Sequence, residues 1–177
     1  MLDEILRRWL DRDHPMFPKL RSVPLFQELN RRELQEVVQL LEMHKYEAGG
    51  VVFEQGTPGM GVYMVMSGCV ELIQSNEGES DTLLLAQSES GSFFGETALL
   101  DDAPRTASAV VTEDTELALF PRSALLMLAE QRPHLGVKIA IQLSQMTAER
   151  LRRTNRSLRV ARDDLAAKQP KDEEGGS

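Results

Sequence analysis

The feature that most constrains the fold is a series of short apolar segments between Tyr46 and Phe120, separated by glycine-containing turns. Segments of five to eight residues rich in Val, Ile, Leu and Tyr are typical of β-strands, and "GTPGMG", "SNEGES", "SESGS" and "TED" are turn sequences. Several short strands at this spacing predict an antiparallel sandwich or roll. The predicted strands are "VVFEQ" (51–55), "GVYMVMSG" (61–68), "CVELIQ" (69–74), "TLLLAQ" (82–87), "RTASAVVT" (105–112) and "TELALFP" (115–121).

Helical patterns precede this region. Apolar residues recur at helical spacing between residues 2 and 12, which predicts a short amphipathic helix. Three prolines between His14 and Pro24 predict irregular backbone. A further helix is predicted over "FQELNRRELQEVVQLLEMHKY", beginning near Asn30, because Asn30 is a good N-cap and Glu33 completes a capping box.

Helical periodicity returns after Pro121. "RSALLMLAEQ" predicts a short helix ended by Pro133, and the proline-free stretch that follows predicts one long helix. Leucines recur every seven residues in it, with small residues at the intervening positions, so this seam either pairs in a dimer or packs on its own domain. The seam consists of Leu151, Leu158 and Leu165 with Thr147, Thr154 and Ala161.

These patterns together predict a mainly β protein with flanking helices. The predicted divisions are a helical lead-in (1–45), the β region (46–121), C-terminal helices (122–168) and a disordered tail (169–177).

Composition narrows the function classes. The net charge of −8 argues against nucleic-acid binding, which needs a basic face. The single cysteine, Cys69, excludes an intramolecular disulfide and a cysteine-rich metal site. Neither a secretory signal nor a run of 18 uncharged apolar residues is found, so a soluble cytoplasmic protein without a membrane segment is expected.

Motifs for metal and catalytic sites are missing from the sequence. His14, His44 and His134 lie far apart, outside any HxH or HExxH pattern, so neither a metal site nor a set of catalytic residues is predicted. No nucleophile elbow, Walker loop or dinucleotide fingerprint is found. The glycine-rich "GTPGMG" lies between two predicted strands rather than before a helix, and it is interpreted as a tight hairpin.

One stretch, "GSFFGETALLDDAPRTASAVV" (91–111), carries an acid and a base in otherwise small and apolar surroundings. Gly95 allows a ligand close to the backbone, and "ETALLDD" has the length of one helical turn, whose free N–H groups suit an anion. Arg105 offers a planar fork of donors for a phosphate, and Glu96 accepts hydrogen bonds from hydroxyls. A nucleotide would satisfy both charges, and an internal Glu96–Arg105 ion pair is the alternative that the spacing leaves open.

This stretch resembles the phosphate-binding cassette of the cyclic nucleotide-binding domain family, over residues 93–108. The upstream "AGGVVFEQGTPGMGVYMVMSGCVEL" resembles the family's early strands, and "VPLFQELNRRELQEVV" resembles its helical lead-in. The resemblance covers about residues 20 to 160. The matching cassette residues are Phe94, Gly95, Glu96, Ala98, Leu99, Leu100, Pro104, Arg105, Thr106, Ala107 and Ser108.

The resemblance implies a jelly-roll-like, antiparallel eight-stranded β-roll with N-terminal helices and a long C-terminal helix. It also implies that Glu96 accepts from the ribose 2′-hydroxyl and that Arg105 pairs with the cyclic phosphate, helped by nearby backbone N–H groups. The implied ligand-binding residues of the cassette are Gly95, Glu96, Thr97, Ala98, Arg105, Thr106 and Ala107.

Two further features bear on the base of the nucleotide. Thr106 follows the arginine, and a threonine there is common in relatives that accept cGMP, although it also suits a strand start. "LSQMTAERLRRTN" is similar to the helix that places a Thr-Ser pair near the adenine in bacterial catabolite activator proteins, and the matching positions are Thr154 and Asn155. For Thr154 and Asn155, the alternative is a polar, solvated helix surface.

The expected function is a non-enzymatic sensor or regulatory protein that binds cAMP or cGMP, needs no cofactor, and signals through an unidentified protein partner or a homodimer formed by the C-terminal helix. DNA binding is not expected, because only about ten residues, acidic and glycine-rich, follow that helix. The alternative is the same fold with nucleotide binding lost, acting as a protein-interaction scaffold. An enzyme on a small β-barrel is a more remote one.

Overall fold

The structure is a computed structural model that describes residues 16–75 and 82–168. The predicted helix over residues 2–12 and the predicted tail (169–177) lie outside these residues. The described residues contain eight strands and four α-helices. The strands are β1 (Glu42–Tyr46), β2 (Val51–Phe53), β3 (Gly61–Ser67), β4 (Cys69–Ser75), β5 (Thr82–Glu89), β6 (Phe93–Phe94), β7 (Ser108–Val111) and β8 (Thr115–Pro121). The helices are α1 (Met16–Ser22), α2 (Arg31–Val38), α3 (Arg122–Gln131) and α4 (Pro133–Lys168), with 3-10 helices at Pro24–Phe26 and Glu96–Leu99.

The strands form two four-stranded sheets, in the orders β1-β8-β3-β6 and β2-β7-β4-β5. Every strand pairing is antiparallel. The chain changes sheet at every connection except the one between β4 and β5, so the two sheets are wound together. The predicted antiparallel eight-stranded β-roll with flanking helices is confirmed.

The core lies between the inner faces of the two sheets. Its side chains come from both sheets and are aromatic or aliphatic, and the aromatic residues and valines among them are types that fit a pleated, buried surface. These core residues are Tyr63, Val65, Val70, Phe94, Ala109, Val111, Leu117 and Leu119.

Strand β3 is buried along almost its whole length, from Gly61 to Met66. Its outer face is covered as well, because the N-terminal helical region packs on this sheet: Phe26 meets Phe120 of β8 edge to face, with 5.5 Å between the ring centroids. Lys19 on α1 donates to the carbonyl oxygen of Met66. Burial on both faces explains why "GVYMVM" is continuously apolar instead of alternating.

The capping box at the start of α2 is confirmed. The Asn30 side chain accepts from the amides of Arg32 at 2.9 Å and Glu33 at 3.1 Å, and the Asn30 amide donates to Glu33 Oε2 at 2.8 Å. Lys138 on α4 donates to the same carboxylate at 2.7 Å. The cap therefore also joins α2 to the first turns of α4.

Two predictions about the N-terminal region are wrong. The stretch through Tyr46 was expected to stay helical, but α2 ends at Val38 and residues 42–46 form β1, because pairing with β8 outweighs local helical preference. Irregular backbone was expected between His14 and Pro24, yet Met16–Ser22 is helical. Pro18 is tolerated there because it lies in the first turn, where amides have no helical partner.

The C-terminal helices form as predicted, with Pro133 ending the short helix and starting the long one. The chain divides into two compact units, Met1–Leu143 and Ser144–Ser177, so α4 contributes to both. No helix in the described ranges is both long and apolar enough to cross a membrane.

Candidate functional site

Arg105 is the centre of the candidate site, and it is almost fully buried, with 7% of its surface exposed. Its Nη1 donates to the carbonyl oxygen of Gly95 at 3.0 Å and its Nη2 to that of Gly61 at 2.9 Å. The guanidinium carbon lies 4.0 Å from the centre of the Phe53 ring and 5.7 Å from that of Tyr63. Two carbonyls and two aromatic rings therefore fix the orientation of the cation.

The backbone of Arg105 is held by the glycine-rich turn between β2 and β3. Its amide donates to the Thr57 carbonyl and its carbonyl accepts from the Gly56 amide, both at 2.8 Å. Interpreting "GTPGMG" as a tight hairpin is wrong, since β2 and β3 lie in different sheets. The turn instead crosses between the sheets and positions the arginine.

Two glycines in this region are required by close packing. Gly95 has a φ of +75°, and a Cβ there would lie 2.4 Å from Arg105 Nη1. A Cβ on Gly59 would lie 2.5 Å from the Cβ of Ala98. Both positions therefore keep space for the guanidinium and for the short helix beside it.

That short helix is the 3-10 turn Glu96–Leu99, which follows Gly95 directly. The sequence prediction of one helical turn is confirmed here. The Ala98 amide makes a long hydrogen bond of 3.3 Å to the Gly95 carbonyl, so one oxygen accepts from both Ala98 and Arg105. Glu96 is the first residue of the turn and is 4% exposed.

The charges of the site influence each other. Burial lowers the pKa of Arg105 because desolvation penalises the cation, whereas Tyr63 and the Glu96 carboxylate act in the opposite direction. Burial also raises the pKa of the Tyr63 phenol. An arginine nonetheless stays protonated in proteins, so the site holds a permanent, largely desolvated cation.

Arg105 has donors left for a ligand. A guanidinium carries five N–H groups, and two of them go to the carbonyls of Gly95 and Gly61. Its buried Nε has no hydrogen-bond partner within the described parts of the chain. Such an arrangement suits a planar, charge-assisted contact with an anion such as a phosphate.

The other predicted cassette residues differ in exposure. Ala98 and Ala107 are buried, while the side chains of Thr97 and Thr106 are exposed. Thr154 and Asn155 lie on α4 in the second unit, with exposed side chains. The ligand roles of all these residues stay predictions. Within the described ranges, no three His, Cys, Asp or Glu side chains cluster as metal ligands do.

Sequence reasoning missed the surroundings of Arg105. Phe53 and Tyr63 have the pattern of ordinary core aromatics, and their stacking with the guanidinium depends on how β2 and β3 meet across the roll. The hydrogen bond from Arg105 to the Gly61 carbonyl cannot be predicted from the sequence, because a backbone acceptor has no characteristic residue type. The one signal available in the sequence was that the predicted strands on either side of "GTPGMG" contain Phe53 and Tyr63.

The fold and this site define a β-roll ligand-binding module with a buried arginine at its centre. A family model described as "Cyclic nucleotide-binding domain" matches residues 43–132, just over half of the chain. The chain therefore belongs to the cyclic nucleotide-binding domain family, which confirms the resemblance noted from the cassette.

Similar proteins include regulatory proteins of fungi and bacteria. A cAMP-dependent protein kinase regulatory subunit of Colletotrichum orbiculare is 39% identical over 105 residues, which are 59% of this chain and 26% of that protein. A cyclic AMP receptor protein of Thermus thermophilus is 34% identical over 139 residues, 78% of this chain and 62% of that one. The crystal structure of the Thermus thermophilus catabolite activator protein has a TM-score of 0.70 and 35% identity, covering 78% of this chain and 62% of that chain.

This chain thus spans from about a quarter to about three fifths of the length of these relatives. The relatives are regulatory proteins, and the chain is a homologue of their cyclic nucleotide-binding regulatory domains.

Proposed function

We propose that this chain is a non-enzymatic sensor or regulatory module that binds a cyclic nucleotide in the cassette formed by residues 93–108. The observation that carries the proposal is the buried guanidinium of Arg105, held by the carbonyls of Gly95 and Gly61 beside the 3-10 turn that begins with Glu96. A desolvated cation with unused donors is expected to bind an anion far more tightly than an exposed one would.

The two charged residues have different roles in this proposal. Arg105 pairs with the cyclic phosphate, assisted by backbone amides from Gly95 to Ala98 and near Thr106 and Ala107. Glu96 accepts from the ribose 2′-hydroxyl, which is the contact that a carboxylate makes best when the ligand is otherwise anionic. These roles follow the family pattern, residue by residue, at positions where this chain matches it.

The ligand is cAMP or cGMP. The names of the two similar proteins, a cAMP-dependent kinase regulatory subunit and a cyclic AMP receptor protein, support cAMP. The exposed hydroxyl of Thr106 supports tolerance of cGMP, because it is available to both a phosphate and a guanine amino group.

The output passes through a protein partner or through a homodimer formed by α4. In a homodimer, Thr154 and Asn155 would contact the base at the subunit interface, and ligand binding would bias the paired helices. Light scattering with and without cAMP tests this part, since a monomer in both states would rule out the homodimer.

A second candidate is the same fold without nucleotide binding, acting as an interaction scaffold. The specific observation in its favour is that Arg105 already bonds two carbonyls and stacks on Phe53, which is a structural role. On this hypothesis the arginine would stabilise the roll and bind nothing else.

A thermal-shift panel with cAMP, cGMP, a cyclic dinucleotide and AMP separates the two candidates. A ligand at a hundred times its Kd adds about 2.7 kcal/mol to stability. We expect a shift with cAMP or cGMP and a much smaller one with AMP, which lacks the cyclic phosphate. A flat panel would favour the scaffold.

A further inference from the structure

The second unit carries a strongly basic helical segment in an acidic protein. Residues 150–162 of α4 contain six arginines and no acid. Since the whole chain has a net charge of −8 and this segment contributes +6, the rest of the chain carries −14. The positive charge is therefore concentrated on about three and a half turns of one helix.

This segment is exposed on every side. All residues from 149 to 163 are exposed, including Leu151 at 60% and Leu158 at 63%. A helix that buries none of its faces gains little from tertiary packing. The two leucines are also one heptad apart, so they lie on the same side of the helix.

The arginines repel one another along the helix. Arg152 and Arg156 are four residues apart, and Arg156 and Arg159 are three apart, which are the spacings at which like charges destabilise a helix. Acids at the two ends of the segment offset part of this repulsion: the Glu149 carboxylate accepts from Arg152 Nη2 at 2.7 Å, and Asp163 lies 3.7 Å from Arg162 Nη2. The pKa of Glu149 is lowered, mainly by the hydrogen bond from Arg152 and then by the positive charges of Arg152, Arg153 and Arg156. The electrostatic environment of the segment therefore stabilises an ionised carboxylate.

The heptad pattern shows where a partner would lie. With Leu151 and Leu158 at the a positions, Thr154 and Ala161 occupy the d positions and leave room there for large side chains. Arg150 and Arg162 occupy the flanking g and e positions, beside the seam. Arg156 and Arg159 occupy the f and b positions, on the far side of the helix.

We propose that the segment from Arg150 to Arg162 docks onto an acidic amphipathic helix of a partner protein, with its leucine stripe against the partner's apolar stripe and its flanking arginines against the partner's carboxylates. The proposal rests on the proposed function, since it specifies the class of protein partner through which the output would pass. The docking itself requires no bound nucleotide.

A second copy of the chain fits this surface less well. Two such segments side by side would place twelve arginines together, with acids such as Glu149 and Asp163 only at the ends, and the d layers would contain only Thr and Ala. Nucleic acid would satisfy the arginines but not the leucine stripe. An acidic helix with large apolar residues at its d positions makes all three contacts. Its carboxylates pair with the arginines, its large side chains fill the space beside Thr154 and Ala161, and its apolar stripe packs on the two leucines.

The test measures binding of a labelled synthetic peptide to the full chain by fluorescence anisotropy. The peptide is a helix of three heptads with Leu at positions a and d and Glu at positions e and g. We expect binding to wild type that weakens at about 1 M salt, where the Debye length is about 3 Å, and no binding of the same peptide with Lys at e and g. Leu158→Ala and the double variant Arg150→Glu/Arg162→Glu should each weaken binding at least about tenfold.

The matched control is Arg156→Glu/Arg159→Glu, which changes the net charge equally on the far face and should weaken binding by less than about threefold. Equal losses in the two charge variants, or equally tight binding of unstructured polyglutamate, would overturn the proposal by showing unspecific charge attraction. Failure of the acidic peptide to bind, with sedimentation showing a dimer, would assign the surface to a second copy. Binding of a DNA duplex that is insensitive to Leu158→Ala would assign it to nucleic acid. The cAMP thermal shift is measured on the same samples, so failure of the proposed function is seen separately.

Discussion

Adding a single methyl group at Gly95 tests the architecture around Arg105. Gly95→Ala places a Cβ 2.4 Å from Arg105 Nη1 and 3.3 Å from its Cζ, at a φ of +75°. The left-handed backbone alone costs an L-residue about 1–2 kcal/mol. The methyl group also drives Nη1 off the Gly95 carbonyl, and a hydrogen bond to a charged group is worth about 1.5–3 kcal/mol.

Gly49→Ala is the matched control. Gly49 has a φ of +84°, and a Cβ there would have nothing within 4 Å. Both variants therefore carry the backbone penalty, and only Gly95→Ala displaces the guanidinium. We expect the free energies of unfolding of the two variants, measured in urea without ligand, to differ by about 1.5–3 kcal/mol.

Nucleotide binding gives the second readout. Calorimetric titration should find cAMP affinity reduced at least about tenfold in Gly95→Ala, because Arg105 is displaced, and nearly unchanged in Gly49→Ala. Equal stability and equal affinity in the two variants would show that the position of Arg105 does not depend on the space that Gly95 leaves.

Three further predictions concern other groups of the molecule. Glu96→Ala should narrow the preference for cAMP over 2′-deoxy-cAMP from about tenfold or more to near one in calorimetry, because the acceptor for the 2′-hydroxyl is gone; an unchanged ratio would exclude that role. Thr106→Ala should weaken cGMP binding more than cAMP binding, and equal losses would limit Thr106 to a phosphate contact. At Glu33, burial raises the pKa, but hydrogen bonds from Lys138 and the Asn30 amide and nearby positive charge bring it below the ordinary 4.5. The contribution of ionised Glu33 to the free energy of unfolding is therefore present above pH 4.5 and is lost as the pH falls through the lower pKa of the folded state. Lys138→Met should lower the stability of the protein at neutral pH and make that stability depend less on pH in the acid range. Urea midpoints measured from pH 7 to below pH 4.5 check this, and parallel curves for the two proteins would contradict it.

The features that the sequence predicted correctly are those decided locally. The capping box needs only Asn30 and Glu33 three residues apart, and the structure contains it. The cassette turn follows from Gly95 and the short run after it, and α3 ends where Pro133 requires. Each of these depends on contacts within a few residues.

The errors arise where distant parts of the chain decide. Residues 42–46 form a strand only because β8, about seventy residues later, pairs with them. The "GTPGMG" turn resembles a hairpin in sequence, since which sheet each strand joins is a property of the whole roll. The stacking of Arg105 on Phe53 also joins residues that only the fold brings together.

The structure also changes what a mutation of Arg105 is expected to do. An arginine that only contacted ligand would be replaceable without loss of stability. Here its removal takes the arginine donor away from the buried carbonyl of Gly61 and leaves that of Gly95 with only the long bond from Ala98, and a buried group left unsatisfied costs about 1–3 kcal/mol. Loss of binding must therefore be measured on variants shown to be folded.

The most direct test is calorimetric titration of cAMP and cGMP into the folded wild type, Arg105→Lys and Arg105→Gln. Lysine keeps the charge but loses the planar fork, and glutamine loses the charge. We expect saturable binding of one nucleotide per chain to wild type, weaker by about tenfold or more in Arg105→Lys and by about a hundredfold or more in Arg105→Gln. Wild type that binds neither nucleotide, or an Arg105→Gln variant that binds as wild type does, would contradict this expectation.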